Sequence, residues 1–157
     1  MYLAYKTDIG AVRDENQDNV VAGFIDENIA VVVVCDGMGG AQSGGVASEV
    51  AANTIYKRIT QNYRTNMRPN TVRNLMLTAV HAANTIVHEK SKEDIDKNGM
   101  GTTCVAALVD GKQCYIINVG DSRAYLLQKN NIEQITKDHT YVRRLVERGE
   151  ITEEEQR

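Results

Sequence analysis

Hydrophobic and polar positions divide the chain into blocks of different period. The opening third has the pattern of strands. Residues 2–9 (YLAYKTDI) alternate weakly, and Asn19–Ile25 and Ile29–Asp36 are apolar runs joined by the polar Asp26-Glu27-Asn28, a hairpin signal. The second run, IAVVVVCD, is largely β-branched, as expected of a strand covered on both faces. From Ser43 the period changes. Val46 and Val50, Ala47 and Ala51, then Ile55 and Ile59 recur at four, which predicts an amphipathic helix over residues 43–62. YRTNMRPN (63–70) breaks it. A second helix follows, with Val72, Leu75, Met76, Ala79, Val80, Ala83, Ile86 and Val87 on one face and Asn70 or Thr71 as N-cap.

The polar stretch 91–101 (SKEDIDKNGMG) reads as a solvated loop, after which strands resume. TTCVAALV turns at Asp110-Gly111 into QCYIINV, a strong hairpin signal. Gly120–Arg123 turns into AYLLQ, and residues 129–131 turn again into IEQIT. Residues 139–149 close as a helix stopped by Gly149. Strands, a helix pair, more strands and a helix argue for α+β layers with antiparallel sheets. They argue against a doubly wound parallel sheet. GMGGAQSGG (37–45) likewise lacks the dinucleotide-binding spacing, and no P-loop Lys-Ser/Thr follows it.

Composition narrows the function classes. With 157 residues the chain is long enough for one domain with a real core. A net charge of -3 gives no basic footprint, so no nucleic-acid partner is expected. No apolar run reaches membrane-spanning length and no signal-peptide pattern opens the chain, so no membrane partner is expected. Cys35, Cys104 and Cys114 lie in apolar runs without metal-ligand spacing and are expected to be reduced core thiols of a cytoplasmic protein. The acidic residues 152–157 read as a solvated helix start, broken off without a capping residue.

Three acids stand at strand ends or turns. Asp36 ends the valine run beside Gly37, where a carboxylate and a bare backbone carbonyl would suit a hard cation such as magnesium or manganese. A turn or helix cap explains it equally well. In RDENQD (13–18), Arg13 offers a planar fork suited to phosphate and Asp18 another oxygen ligand or water-holding acceptor, although such loops are commonly just solvated. In NVGDSRAY (118–125), Asp121 sits in an ordinary hairpin turn. Brought to one edge by packed sheets, Asp18, Asp36, Asp121 and Arg13 would make a hard-metal site with a phosphate clamp. That is a phosphoryl-hydrolysis constellation, in which two metals about 3.5–4 Å apart share an activated water.

Five ordered blocks then make a specific resemblance: TDIGAVRDENQDN, VVCDGMGGAQSGGVAS, GTTCVAAL, NVGDSRAYLL and ITKDHTYVRRLVERGEITEEE. The chain resembles the metal-dependent protein phosphatases of the protein phosphatase 2C type, in their compact bacterial form. The resemblance implies a layered α-β-β-α sandwich of two antiparallel sheets flanked by helix pairs. It implies hydrolysis of phosphoserine and phosphothreonine in proteins by metal-activated water, with two manganese or magnesium ions and a third, weaker site. Asp36 resembles the carboxylate bridging two metals, Gly37 the residue whose carbonyl binds one, and Asp121 a ligand of the third. Asp18 resembles the acid that orients metal-bound water, and Arg13 the substrate-phosphate ligand. On this reading the glycines around Asp36 turn the chain sharply and keep side chains out of the substrate's way.

Met38 stands where animal members carry a histidine proposed as general acid, so protonation of the leaving group is unassigned. His139 matches a family block and is expected to be structural. The family's C-terminal aspartate motifs have no counterpart here, so residues 1–157 are expected to form an incomplete catalytic domain that ends near the start of the flap, with the C-terminal part missing. Such a chain alone is expected to be impaired or inactive. The implied partners are phosphorylated proteins, among them a cognate serine/threonine kinase. The alternative is a non-catalytic module that self-associates through exposed sheet edges.

Overall fold

The computed structural model describes residues 1–40, 43–111 and 113–152, apart from the side chain of Arg144. The acidic stretch 153–157, expected to begin a helix, lies outside them. The elements in chain order are β1 (Asp18–Asp26), β2 (Ile29–Met38), α1 (Ser43–Asn62), α2 (Pro69–Glu93), β3 (Gly101–Thr102), β4 (Cys104–Asp110), β5 (Gln113–Val119), β6 (Tyr125–Gln128), β7 (Asn131–Gln134) and α3 (Tyr141–Glu147). They form two antiparallel sheets with helices, as the α+β pattern predicts.

The larger sheet runs β1-β2-β4-β5, with β3 pairing the end of β2. β2 is central because its β-branched run suits a strand hydrogen-bonded on both sides. Its register places Val31 opposite Gly23 on β1 and Leu108 on β4. β4 and β5 meet at the expected turn, where Gly111 takes a positive φ of 57°. β6 and β7 pair separately as a two-stranded sheet.

α1 packs on β1 and β2, and α2 packs on α1 and reaches β5. Val31, Val33 and Cys35, alternate residues of β2, are wholly buried with Ala47, Ala52, Ile55 and Ile59 of α1. Val72, Met76, Ala79, Ala83 and Val87 supply the stripe of α2. Alanines at helical spacing let backbones approach closely. Burying Ile55 and Ile59 stabilises the fold by about 1.5–3 kcal/mol each.

Several boundaries differ from the expectation. Residues 2–9 form no strand. Ala4–Asp8 instead border a cavity with Val20, Val32 and Val34, with no ladder partner among the described residues. The second face of the sheet is correspondingly open in places, leaving Val34 of β2 39% and Phe24 of β1 47% exposed. α2 starts at Pro69 rather than after Asn70 or Thr71, because proline's fixed φ and missing N–H suit the first helical position. It also runs to Glu93, and Ile95–Lys97 form a short 3₁₀ turn in which the Asp94 carboxylate accepts from the Asp96 N–H. The expected loop is therefore largely ordered.

α3 ends as expected, with Gly149 at φ 70° donating its N–H to Val146. Thr140 accepts from the Arg143 N–H and caps its start. Cys35 and Cys104 are buried thiols, but Cys114 is exposed. It lies on β5, an edge strand of the sheet that pairs with β4 alone among the described residues.

Candidate active site

The antiparallel register of β1 and β2 sets Asp18 directly opposite Asp36. The loop before β1 is held by its own polar side chains. Asn16 accepts from the Asp18 N–H at 3.0 Å and donates to Thr7 at 2.7 Å. The Gln17 carbonyl accepts from the Ser48 hydroxyl of α1 at 2.6 Å and from the Gly37 N–H of β2 at 3.1 Å. Two elements thus fix the loop that carries Arg13 and Asp18.

Gly37 and Gly44 have a packing reason to be glycine. A Cβ on Gly37 would lie 2.1 Å from the Gly44 carbonyl oxygen and 2.7 Å from that of Gln17. A Cβ on Gly44 would lie 2.2 Å from the Gln17 side-chain oxygen. What approaches the backbone here is the chain itself, so the expectation that these glycines make room for substrate is corrected for these two. Gly40 and Gly45 face open space.

Asp121 follows Gly120, whose φ of 100° turns the chain out of β5. Thr103 joins this turn to Asp36. Its Oγ1 accepts from the Asp36 N–H at 3.0 Å and lies 2.6 Å from the Ser122 Oγ. The Asp36 carbonyl accepts from the Thr103 N–H and the Thr102 hydroxyl, both at 2.9 Å.

The electrostatics connect all four residues named from the sequence. Partial burial of its carboxyl raises the pKa of Asp36, and so do the charge of Asp18, a hydrogen bond with Asp18 and the charge of Asp121. Arg13 opposes them. Asp36 is nonetheless exposed, open to solvent on one side and crowded by like charge on the other. The donors are oxygens, the set a hard cation prefers. Among the described residues, however, no three His, Cys, Asp or Glu side chains come close enough to hold an ion by themselves. Asp18 and Asp121 are near enough for their charge to act on Asp36, and the ligand set is short.

Met38 is 60% exposed beside this cluster. His139 serves the turn: its N–H donates to the Gly120 carbonyl at 2.9 Å, and its Nδ1 accepts from the Gly120 N–H at 3.4 Å. Arg123 binds both carboxylate oxygens of Asp138, each at 3.0 Å from its Nε. Asn118 donates to the Lys137 carbonyl at 2.9 Å. The sequence reading passed over Thr103, Ser122 and Asn118. All three lie inside blocks it quoted, but small polar residues in strands and turns carry no pattern of their own.

The model of the protein phosphatase 2C family matches residues 11–153. The chain belongs to that family. The protein phosphatase 2C relatives include the serine/threonine phosphatase Stp of Listeria welshimeri, 37% identical over 99% of this chain and 61% of that protein. The chain therefore spans about three-fifths of the curated relative's length. Among solved structures, the phosphatase Stp1 of Staphylococcus aureus superposes with a TM-score of 0.84 at 39% identity, over 96% of this chain and 58% of that one. The phosphatase PstP/Ppp of Mycobacterium tuberculosis gives 0.80 at 35%, over 96% and 60%. A structure of the PstP catalytic domain in complex with two manganese ions gives 0.77 at 35%, over 96% and 61%.

Proposed function

We propose that residues 1–157 are part of the catalytic domain of a serine/threonine protein phosphatase acting on phosphorylated proteins. The carrying observation is that the β1–β2 register sets Asp18 opposite Asp36 while Thr103 joins Asp36 to the Asp121 turn, with Arg13 near enough to act on Asp36. Asp36, the Gly37 carbonyl and Asp121 would hold manganese or magnesium, two ions with a third at Asp121. When bound, such ions would supply a nucleophilic water and neutralise charge on the transferring phosphoryl group, and Asp18 would orient that water as an acceptor. Arg13, exposed and close enough to act on Asp36, binds the substrate phosphate.

Partial burial and the charges of Asp18 and Asp121 disfavour ionisation of Asp36 despite Arg13, and a divalent ion would reverse that. The short ligand set supports a further step: the 157 residues alone are impaired or inactive as a catalyst. The free buried thiols Cys35 and Cys104 support a cytoplasmic, reducing location, and the serine/threonine phosphatase relatives support a signalling role opposite a cognate kinase. The open face at Phe24 and Val34 favours a second reading, in which copies self-associate without catalysis.

The deciding experiment is manganese-dependent phosphate release from a phosphothreonine peptide, with Asp36→Asn as control. Release lost in the control supports the assignment, and no release from either chain is the outcome expected of an impaired chain with a short ligand set. Release unchanged by that substitution would sink it.

A further inference from the structure

We propose that Thr103 is a positioning residue that fixes Asp36 and the Asp121 turn relative to one another. The proposal rests on the reading of these two acids as metal ligands.

Thr103 lies between β3 and β4, where the strand ladder is interrupted, and is only 7% exposed. In an antiparallel pair that exchanges both hydrogen bonds, the N–H of Asp36 would go to a backbone carbonyl across the ladder. Here it goes to the Thr103 Oγ1 instead, while the Thr103 carbonyl accepts from the Thr102 hydroxyl at 3.0 Å. The Thr103 N–H donates to the Asp36 carbonyl. One residue therefore holds Asp36 from both sides of its backbone.

The Oγ1 that accepts from Asp36 also shares a hydrogen bond with the Ser122 Oγ, 2.6 Å away, in which either hydroxyl can donate. Ser122 follows Asp121 directly. The Thr103 methyl group completes the clamp on the other flank, since a Cβ on Gly120 would lie 2.7 Å from Thr103 Cγ2. Both neighbours of Asp121 thus touch the side chain that fixes Asp36. A hydroxyl with two partners and a methyl with a third are what threonine offers and neither serine nor valine does.

The network is anchored beyond the turn. His139 grips Gly120 twice, and Asn118 donates to the carbonyls of both Gly120 and Lys137. The Asp121 turn is therefore held from behind, and Thr103 sets its distance from Asp36. Rigid spacing of ligands drawn from different strands is what a metal site needs for affinity.

The test compares the ¹⁵N-labelled chain with Thr103→Val, Thr103→Ser and Ser122→Ala. The Asp36 amide is expected to exchange with solvent about tenfold faster in Thr103→Val, as for one lost hydrogen bond, and to stay protected in Thr103→Ser. Titrated manganese ion should broaden the amide signals of residues 36–38 and 120–122 over one concentration range in the unmodified chain. In Thr103→Val the two groups should broaden over separate ranges. Unchanged Asp36 exchange together with joint broadening in Thr103→Val overturns the proposal.

If manganese broadens neither group even in the unmodified chain, the metal reading fails. Exchange at Asp36 and the amide shifts of residues 120–122 then decide the positioning role alone. Should Thr103→Val not fold, Ser122→Ala replaces it. Signals of residues 120–122 should then move while the Asp36 amide stays protected, and no movement overturns the coupling.

Discussion

Asp18 and Asp36 face each other as register partners at the ends of two neighbouring strands. Like charges directly opposite in a sheet destabilise it, and this pair is further crowded by Asp121. The arrangement is tolerable if a cation joins it. Asp36→Asn is therefore expected to raise the thermal midpoint of the metal-free chain at neutral pH, by the equivalent of about 0.2–1 kcal/mol. Added manganese should stabilise the unmodified chain and leave the variant unmoved. A variant less stable than its parent without metal would show that Asp36 is held by favourable contacts, contrary to the crowding.

Arg123 and Asp138 couple the Asp121 turn to the segment before α3. The guanidinium bonds hold the Asp138 carboxyl below its ordinary value of 3.8, outweighing the opposing effect of burial. A carboxyl depressed by folding stabilises the fold above its unfolded value, and the contribution is lost as pH falls through the folded one. Asp138→Asn should thus be destabilised at pH 7. Its deficit should shrink as the pH drops below about 4. Urea midpoints at several pH values check this, and a deficit independent of pH would assign the loss to packing.

Much of this molecule is legible in its sequence, for stated reasons. Ser43–Asn62 is delimited correctly because its apolar residues recur at helical spacing and end at a break. The Asp110-Gly111 hairpin is legible because that pair demands one turn. Asp18, Asp36, Asp121 and Arg13 could be named as candidates because charged residues at strand ends are conspicuous, and the charges of the other three act on Asp36. Residues 2–9 were misread because alternation shows that a segment can be a strand and says nothing of a partner to pair with. Val34 was misjudged for the same reason: a valine run reports its capacity for burial, and burial needs a covering layer. The roles of Thr103 and Ser122 depend on contacts across 67 and 19 positions, which no local pattern contains.

Tyr63 ties the end of α1 to the end of β4. It is 3% exposed, and its hydroxyl donates to the Asp110 carboxylate. Burial, the bond to Asp110 and that residue's charge all push the phenol's pKa up, so it keeps its proton throughout the neutral range. Tyr63→Phe leaves a partly buried carboxylate short of a donor and should cost about 1–3 kcal/mol. Denaturant unfolding should show a lower midpoint with an unchanged slope, since the same surface is exposed.

Gly37 and Gly40 separate two uses of glycine within one stretch. A Cβ at Gly37 meets backbone oxygens of Gly44 and Gln17, neither of which can swing aside, so Gly37→Ala should cost about 1–3 kcal/mol through forced backbone shifts. Gly40 has nothing within 4 Å and no positive φ. Gly40→Ala should leave the thermal midpoint unchanged or raise it slightly, since alanine reduces the freedom of the unfolded chain. If Gly40 keeps the approach to Asp36 clear for a phosphorylated side chain, the same alanine should weaken binding of a phosphothreonine peptide without loss of fold. Calorimetric titration of that peptide decides it: unchanged affinity in Gly40→Ala would mean that the stretch needs its glycines for packing at Gly37, Gly39 and Gly44.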